Sequence, residues 1–133
     1  MDAEINKLQR RIEALTKPYL STETEWLVGS NGRSDEIALE SLAKCGQRIT
    51  VVGYHAFDIS PAALKLLEQY GIPFVDATTE QLPKEIERPS DRDLIFLTRA
   101  DLTILFWNGH SEGIGELIAW YTKQGKDHVI GFV

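Results

Sequence analysis

The sequence has a single cysteine in 133 residues, and no apolar run long enough to span a membrane. Cys45 alone permits neither an internal disulfide nor a cysteine-based metal cluster, which fits a reducing compartment. It falls near the end of an amphipathic helical pattern and reads as a packed small hydrophobe. A spanning helix needs about 20 consecutive apolar residues, so no membrane association is expected. The N-terminal stretch MDAEINKLQRRIEALTK is charged throughout and has no apolar h-region, which predicts a cytoplasmic chain without a secretory signal. Basic residues are in the minority: 14 Lys and Arg stand against 20 Asp and Glu, a formal net charge of −6. Affinity for nucleic acid rests on Lys and Arg neutralising phosphates, so a nucleic acid polymer is not an expected partner. Several motifs are missing too. There is no GxGxxG after the first apolar strand, no phosphate-loop lysine motif and no GxSxG, which leaves dinucleotide oxidoreduction, phosphoryl transfer and hydrolase-fold chemistry without specific support. No histidine has a partner at metal-ligand spacing, and neither a metal nor a cofactor is expected.

What is present is an ordinary globular composition, 43% hydrophobic and 26% charged, with no internal repeat or low-complexity tract. Residues 1–20 are expected to hold an N-terminal helix. Ile5, Leu8, Ile12 and Leu15 lie on one stripe of it, either packed on their own domain or pairing with a second subunit in a homo-oligomer through residues 1–17. Pro18 stops that helix. Residues 21–133 are expected to form a single Rossmann-like α/β domain. Trp26-Leu27-Val28, Ile49 to Gly53 and Pro73 to Val75 read as strands roughly 20 to 25 residues apart, a spacing that calls for parallel pairing through helical crossovers. Ser34 reads as the N-cap of the helix after the first strand. Ser60-Pro61 opens the next helix. Residues 76–93 form a polar excursion broken by Pro83 and Pro89, of a length often found in lids. Leu102 to Trp107 is the fourth strand, Ser111 to Gln124 an amphipathic helix, and the last residues a fifth strand. The expected architecture is an open three-layer sandwich on a mostly parallel five-stranded sheet.

Two glycine-bearing turns follow predicted strands. The first comprises Gly29, Ser30, Asn31, Gly32 and Arg33; the second comprises Asn108, Gly109, His110, Ser111, Glu112 and Gly113. Each precedes a helix, where bare backbone N–H groups hold a phosphate or carboxylate. Arg33 is the one fixed cation within the first turn. In open α/β sheets the ligand crevice lies outside the carboxyl ends of the strands, so the two turns face each other if the first and fourth strands are neighbours. His55 and His110 both follow strand ends, as solvated residues or as ligand contacts. Trp107 is either core or a stacking surface. On the last helix, Ile114, Leu117, Ile118 and Tyr121 form the apolar stripe. Glu112 and Glu116 share the far side, either as a solvated acidic turn or with one as nucleophile or general base.

The run Glu112-Gly113-Ile114-Gly115-Glu116-Leu117 to Gln124-Gly125-Lys126, after a strand opening with Asp101, resembles the corresponding strand, turn and helix of nucleoside 2-deoxyribosyltransferases. Their looser superfamily includes Smf-type DNA-processing proteins and Lonely-Guy-type cytokinin phosphoribohydrolases, and Val28-Gly29-Ser30 resembles its first-strand turn. The resemblance covers the last ~35 residues or so, on a short motif. It implies a Rossmann-like oligomer that binds a nucleoside or nucleotide and cleaves an N-glycosidic bond with a glutamate of this helix. Aligned on the glycines, the nucleophile position falls on Leu117, one residue after Glu116, and Ile114 replaces the phosphoribohydrolase threonine. Two expectations follow: a nucleoside- or nucleotide-binding protein that has lost the chemistry, or an N-glycosidase or transferase re-registered on Glu116 with His110 nearby.

Overall fold

Ile49 and Val51 on one face and Val52 on the other bury their strand on both sides, and it is the middle one of three. Val51 and Val52 have no exposed surface. The structure, a computed structural model, describes residues 2–30, 32–55 and 59–133. In chain order the elements are α1 (Asp2–Thr16), β1 (Glu25–Gly29), α2 (Arg33–Lys44), β2 (Arg48–Gly53), α3 (Pro61–Tyr70), β3 (Phe74–Asp76), α4 (Asp91–Arg99), β4 (Thr103–Trp107), α5 (Glu112–Gln124) and β5 (His128–Phe132). Single 3-10 turns lie at Lys17–Tyr19 and Ala77–Thr79. Every strand pair is parallel, as helical crossovers require. Val28 lies opposite Val51 in β1–β2, Gly53 opposite Asp76 in β2–β3, and Trp107 opposite Phe132 in β4–β5.

The five strands do not make one sheet. They divide into a three-stranded sheet, β1-β2-β3, and a two-stranded sheet, β4-β5. The α/β class and the parallel pairing agree with the sequence; the single five-stranded sandwich does not. The division follows the apolar side chains. The chain forms two compact units, Met1–Glu80 and Gln81–Val133, and each closes its own core. In the first, Val28 and Val51 pack with Leu39 and Leu42 of α2 and Leu67 of α3. In the second, Leu94 and Leu97 of α4 pack with Leu105 of β4 and Tyr121 of α5. Each sheet buries its apolar face against helices of its own unit.

α1 packs on α2, and Ile12 of its stripe is wholly buried there. The Thr16 hydroxyl, also buried, donates back to the Ile12 carbonyl at 3.1 Å. The centre of the stripe is thus used within the chain. Cys45 is exposed rather than packed, because it sits at the C-cap of α2, past the last core-facing turn. The polar excursion is fastened to the second unit. Leu82 and Ile86 pack on its core, Trp120 Nε1 donates to the Glu87 carbonyl at 2.9 Å, and the Arg88 guanidinium donates to the Pro83 carbonyl and pairs with Asp91 at 3.0 Å. These attachments suit a strap better than a lid.

Candidate functional site

In the first unit, β1 runs to Gly29, and Ser30 follows with only 3% of its surface exposed. A Cβ built on Gly29 would stand 2.6 Å from Asp35 Oδ2, so the α2 carboxylate occupies the space that any larger residue would need. Gly32, at φ 95°, turns the chain into α2 and is its N-cap. The predicted cap, Ser34, lies instead inside the first turn, because helical geometry begins two residues earlier than that cap implies, at Arg33. Gly32 has no side chain to cap with. The first helical bond is Glu36 N–H to the Gly32 carbonyl at 3.2 Å, which leaves the N–H groups of Arg33, Ser34 and Asp35 without helical acceptors. The other helices with described caps differ: Ser60, Ser90 and Ser111 each accept from the N–H three residues on. Arg33 is exposed beside the turn. Asn31 lies outside the described residues.

The second turn is largely satisfied from within. Asn108 Oδ1 accepts from His110 N–H at 2.8 Å and from Ser111 N–H at 2.9 Å. Gly109 adopts φ 87° to allow this fold-back. Trp107 Nε1 donates to the Ser111 carbonyl at 3.0 Å. The Ser111 hydroxyl accepts from Ile114 N–H at 3.5 Å. The expectation of a bare turn is therefore corrected here. The Asn108 carboxamide takes the place an anion would fill, and only Glu112 and Gly113 keep N–H groups that no helical carbonyl can serve. Asn108, Gly109, His110, Ser111, Glu112, Gly113 and Glu116 are all exposed. Leu117 turns inward and packs on the core of the second unit.

At the ends of β2 and β3 lies a pair that the sequence reading missed in part. His55 Nδ1 stands 3.7 Å from Asp76 Oδ2. Asp76 Oδ1 accepts from both the N–H and the hydroxyl of Thr78, at 2.9 and 2.6 Å. The Thr78 hydroxyl, then its N–H and the neighbouring His55, hold the Asp76 carboxyl below its ordinary range. The signal was present: an Asp closing an apolar strand with Thr two residues on is an Asx-turn pattern.

The sheet register thus brings Gly29, Ser30, Gly32 and Arg33 to the same carboxyl edge as Gly53, His55 and Asp76. The strand pairing on which the convergence of the two turns depended is absent: β1 is bonded to β2, and β4 to β5. Among the described residues, no group of three or more His, Cys, Asp or Glu is placed to hold a metal ion, and no helix is long and apolar enough to cross a membrane. Compared with known proteins, the chain matches no family model and no curated protein.

Proposed function

We propose that the chain binds a nucleoside or nucleotide at the carboxyl edge of the β1-β2-β3 sheet, as a binding protein rather than an enzyme. The observation that carries this reading is the N-terminus of α2, where the N-cap residue is Gly32, which has no side chain to cap with, while serine caps α3, α4 and α5. The first-turn backbone and the helix dipole there suit a phosphate or a sugar oxygen, with Arg33 exposed beside them. The resemblance of the last ~35 residues to nucleoside 2-deoxyribosyltransferases suggests the ligand class. The inward-packed Leu117, at the position of the relatives' nucleophile, supports binding without chemistry.

A second reading keeps the chemistry: cleavage or transfer at an N-glycosidic bond, with Glu116 as nucleophile or base and His110 near it. It draws support from the exposure of Glu116 one turn beyond Glu112, on the same helix face. One experiment separates the two. Nucleosides and nucleoside monophosphates are added one by one, the melting temperature is followed, and the mixture is assayed for free base. Binding alone raises the melting temperature, by the equivalent of about 2.7 kcal/mol at a hundredfold excess over Kd, and releases no base. Base release that is lost in Glu116→Ala would establish the second reading. No shift with any nucleotide would refute the first. Self-association through residues 1–17 has to use what Ile12 leaves of the stripe. The mass in solution of Leu8→Glu, compared with the parent, tests it.

A further inference from the structure

We infer that the groove between α1 and α2 binds a single-chain anionic amphiphile of the fatty-acid class, at a site that shares no residue with the nucleotide-binding edge and does not depend on it. Both helices belong to the first unit and pack on one another. The groove between them holds about 590 Å³, within the range of small-molecule sites. Its walls are one ridge from each helix, built from residues four apart: Ile5, Gln9, Glu13 and Lys17 on one side, Ile37, Ser41 and Cys45 on the other. Ala14 and Leu20 add to the apolar lining. Ile5 and Ile37 are half-buried, and Ala14, Leu20 and Cys45 are exposed. The fold therefore leaves apolar surface in the groove that its own core does not use.

Shape selects the body of the occupant. From Ile5 to Lys17 the groove follows α1 for about 18 Å at the helical rise, which gives its volume a mean section of roughly 33 Å². A helix with side chains, about 10–12 Å across, presents about 80 Å² or more, and an extended peptide roughly 45 Å² at sheet spacings. An unbranched carbon chain is thinner than either and long enough to follow the ridge. Charge selects the head. The chain as a whole carries a formal −6 and repels anions, yet this groove is lined by Arg10, Lys17 and Lys44 against Glu13 and Glu40. Both acids are engaged: Glu13 accepts from Gln9 Nε2 at 3.1 Å, and Glu40 pairs with Lys44 at 2.8 Å. Arg10 and Lys17 are exposed, two turns apart, and among the described residues no acid lies within ion-pair distance of either. A carboxylate between them meets two cations while its chain covers the apolar lining. Inorganic phosphate would leave that lining bare, and a cationic amphiphile would be repelled.

Cys45 reports on the groove directly, because it is the single cysteine, lines the groove and is exposed. The test is the rate at which the full chain reacts with monobromobimane, a neutral thiol reagent, in the presence of laurate, decanoate, octanoate, acetate or dodecyltrimethylammonium, each below its critical micelle concentration. Laurate is expected to slow labelling about tenfold or more at saturation, and each CH₂ removed from the chain should weaken binding about two- to fourfold. The double variant Arg10→Gln, Lys17→Gln alters two exposed positions, and circular dichroism confirms its fold. It should bind laurate about three- to tenfold more weakly, the size of two surface ion pairs, with its labelling rate in the absence of amphiphile unchanged. Absence of protection by every probe, protection by acetate or dodecyltrimethylammonium equal to that by laurate, protection that does not depend on chain length, or laurate bound equally well by the double variant would each overturn the site. A labelling rate that falls as protein concentration rises without amphiphile, with twice the chain's mass in solution, would also overturn it and give the groove to a second copy.

Discussion

Gly53→Ala tests how tightly the carboxyl edge of the first sheet is built. A Cβ at Gly53 would overlap the Ser30 hydroxyl oxygen and stand 3.1 and 3.2 Å from Cε2 and Cζ of Phe74. Neither neighbour yields easily. Ser30 is 3% exposed, and the Phe74 ring packs on the core formed by Val28, Val51 and Leu67. Gly53 is not in the left-handed region, so alanine is opposed by space and not by backbone conformation. Overpacking of this kind costs about 1–3 kcal/mol. With a urea dependence of roughly 1–3 kcal/mol per molar, the unfolding midpoint followed by far-ultraviolet circular dichroism should fall by about 1 M. Adding Ser30→Gly removes the worst overlap while the Phe74 contacts remain, so the double variant should recover part of the loss. A Gly53→Ala chain as stable as the parent would refute the packing described here, as would a double variant with no recovery.

Gly109 and Gly113 should respond in opposite directions to alanine. Gly109→Ala forces a side chain to φ 87° with open space around it, at a cost of about 1–2 kcal/mol; Gly113→Ala, in the first turn of α5 with nothing near its Cβ, should gain about 0.5–1 kcal/mol. Thermal denaturation of both variants checks the contrast. Alkaline stability should depend on Tyr121, whose hydroxyl burial pushes above its ordinary pKa. A group raised in the folded state contributes stability that is complete below the unfolded pKa, about 10, and is lost as pH rises through the folded value. Tyr121→Phe should flatten the decline above pH ~10 at the expense of about 1 kcal/mol for the bond with Thr103, and an unchanged alkaline limb would contradict that role. In acid the sign reverses for Asp76, held low by Thr78: its contribution is present above the ordinary carboxylate pKa and is lost as pH falls through the folded value, so Thr78→Val should lose less stability on acidification than the parent.

Element types were legible because apolar periodicity reports which face of a segment is buried. The run Trp26-Leu27-Val28, the stretch Ile49 to Gly53 and the stripe through Tyr121 all formed where that periodicity places them. Strand partners were not legible, because burial says nothing about which edge accepts which neighbour, and the strands closed over two cores rather than one. The same limit applies to the glycine turns. A glycine shows where a left-handed turn is open to the chain, not whether a nearby side chain already holds the N–H groups. At Gly32 the N-cap residue has no side chain to offer, whereas at Gly109 the carboxamide of Asn108 takes the N–H groups of His110 and Ser111. His55 was visible as a residue after a strand, but its partner Asp76, 21 positions away, becomes a neighbour only through the β2–β3 register.

The most direct measurement of the proposed nucleotide binding at the start of α2 is amide chemical-shift mapping of the isotope-labelled full chain during titration with nucleoside 5′-monophosphates. Binding there should move the amides of Arg33, Ser34 and Asp35 first, with Gly53 and Asp76 following along the same edge. Titrations that leave those amides in place, or that move only residues elsewhere, would contradict it.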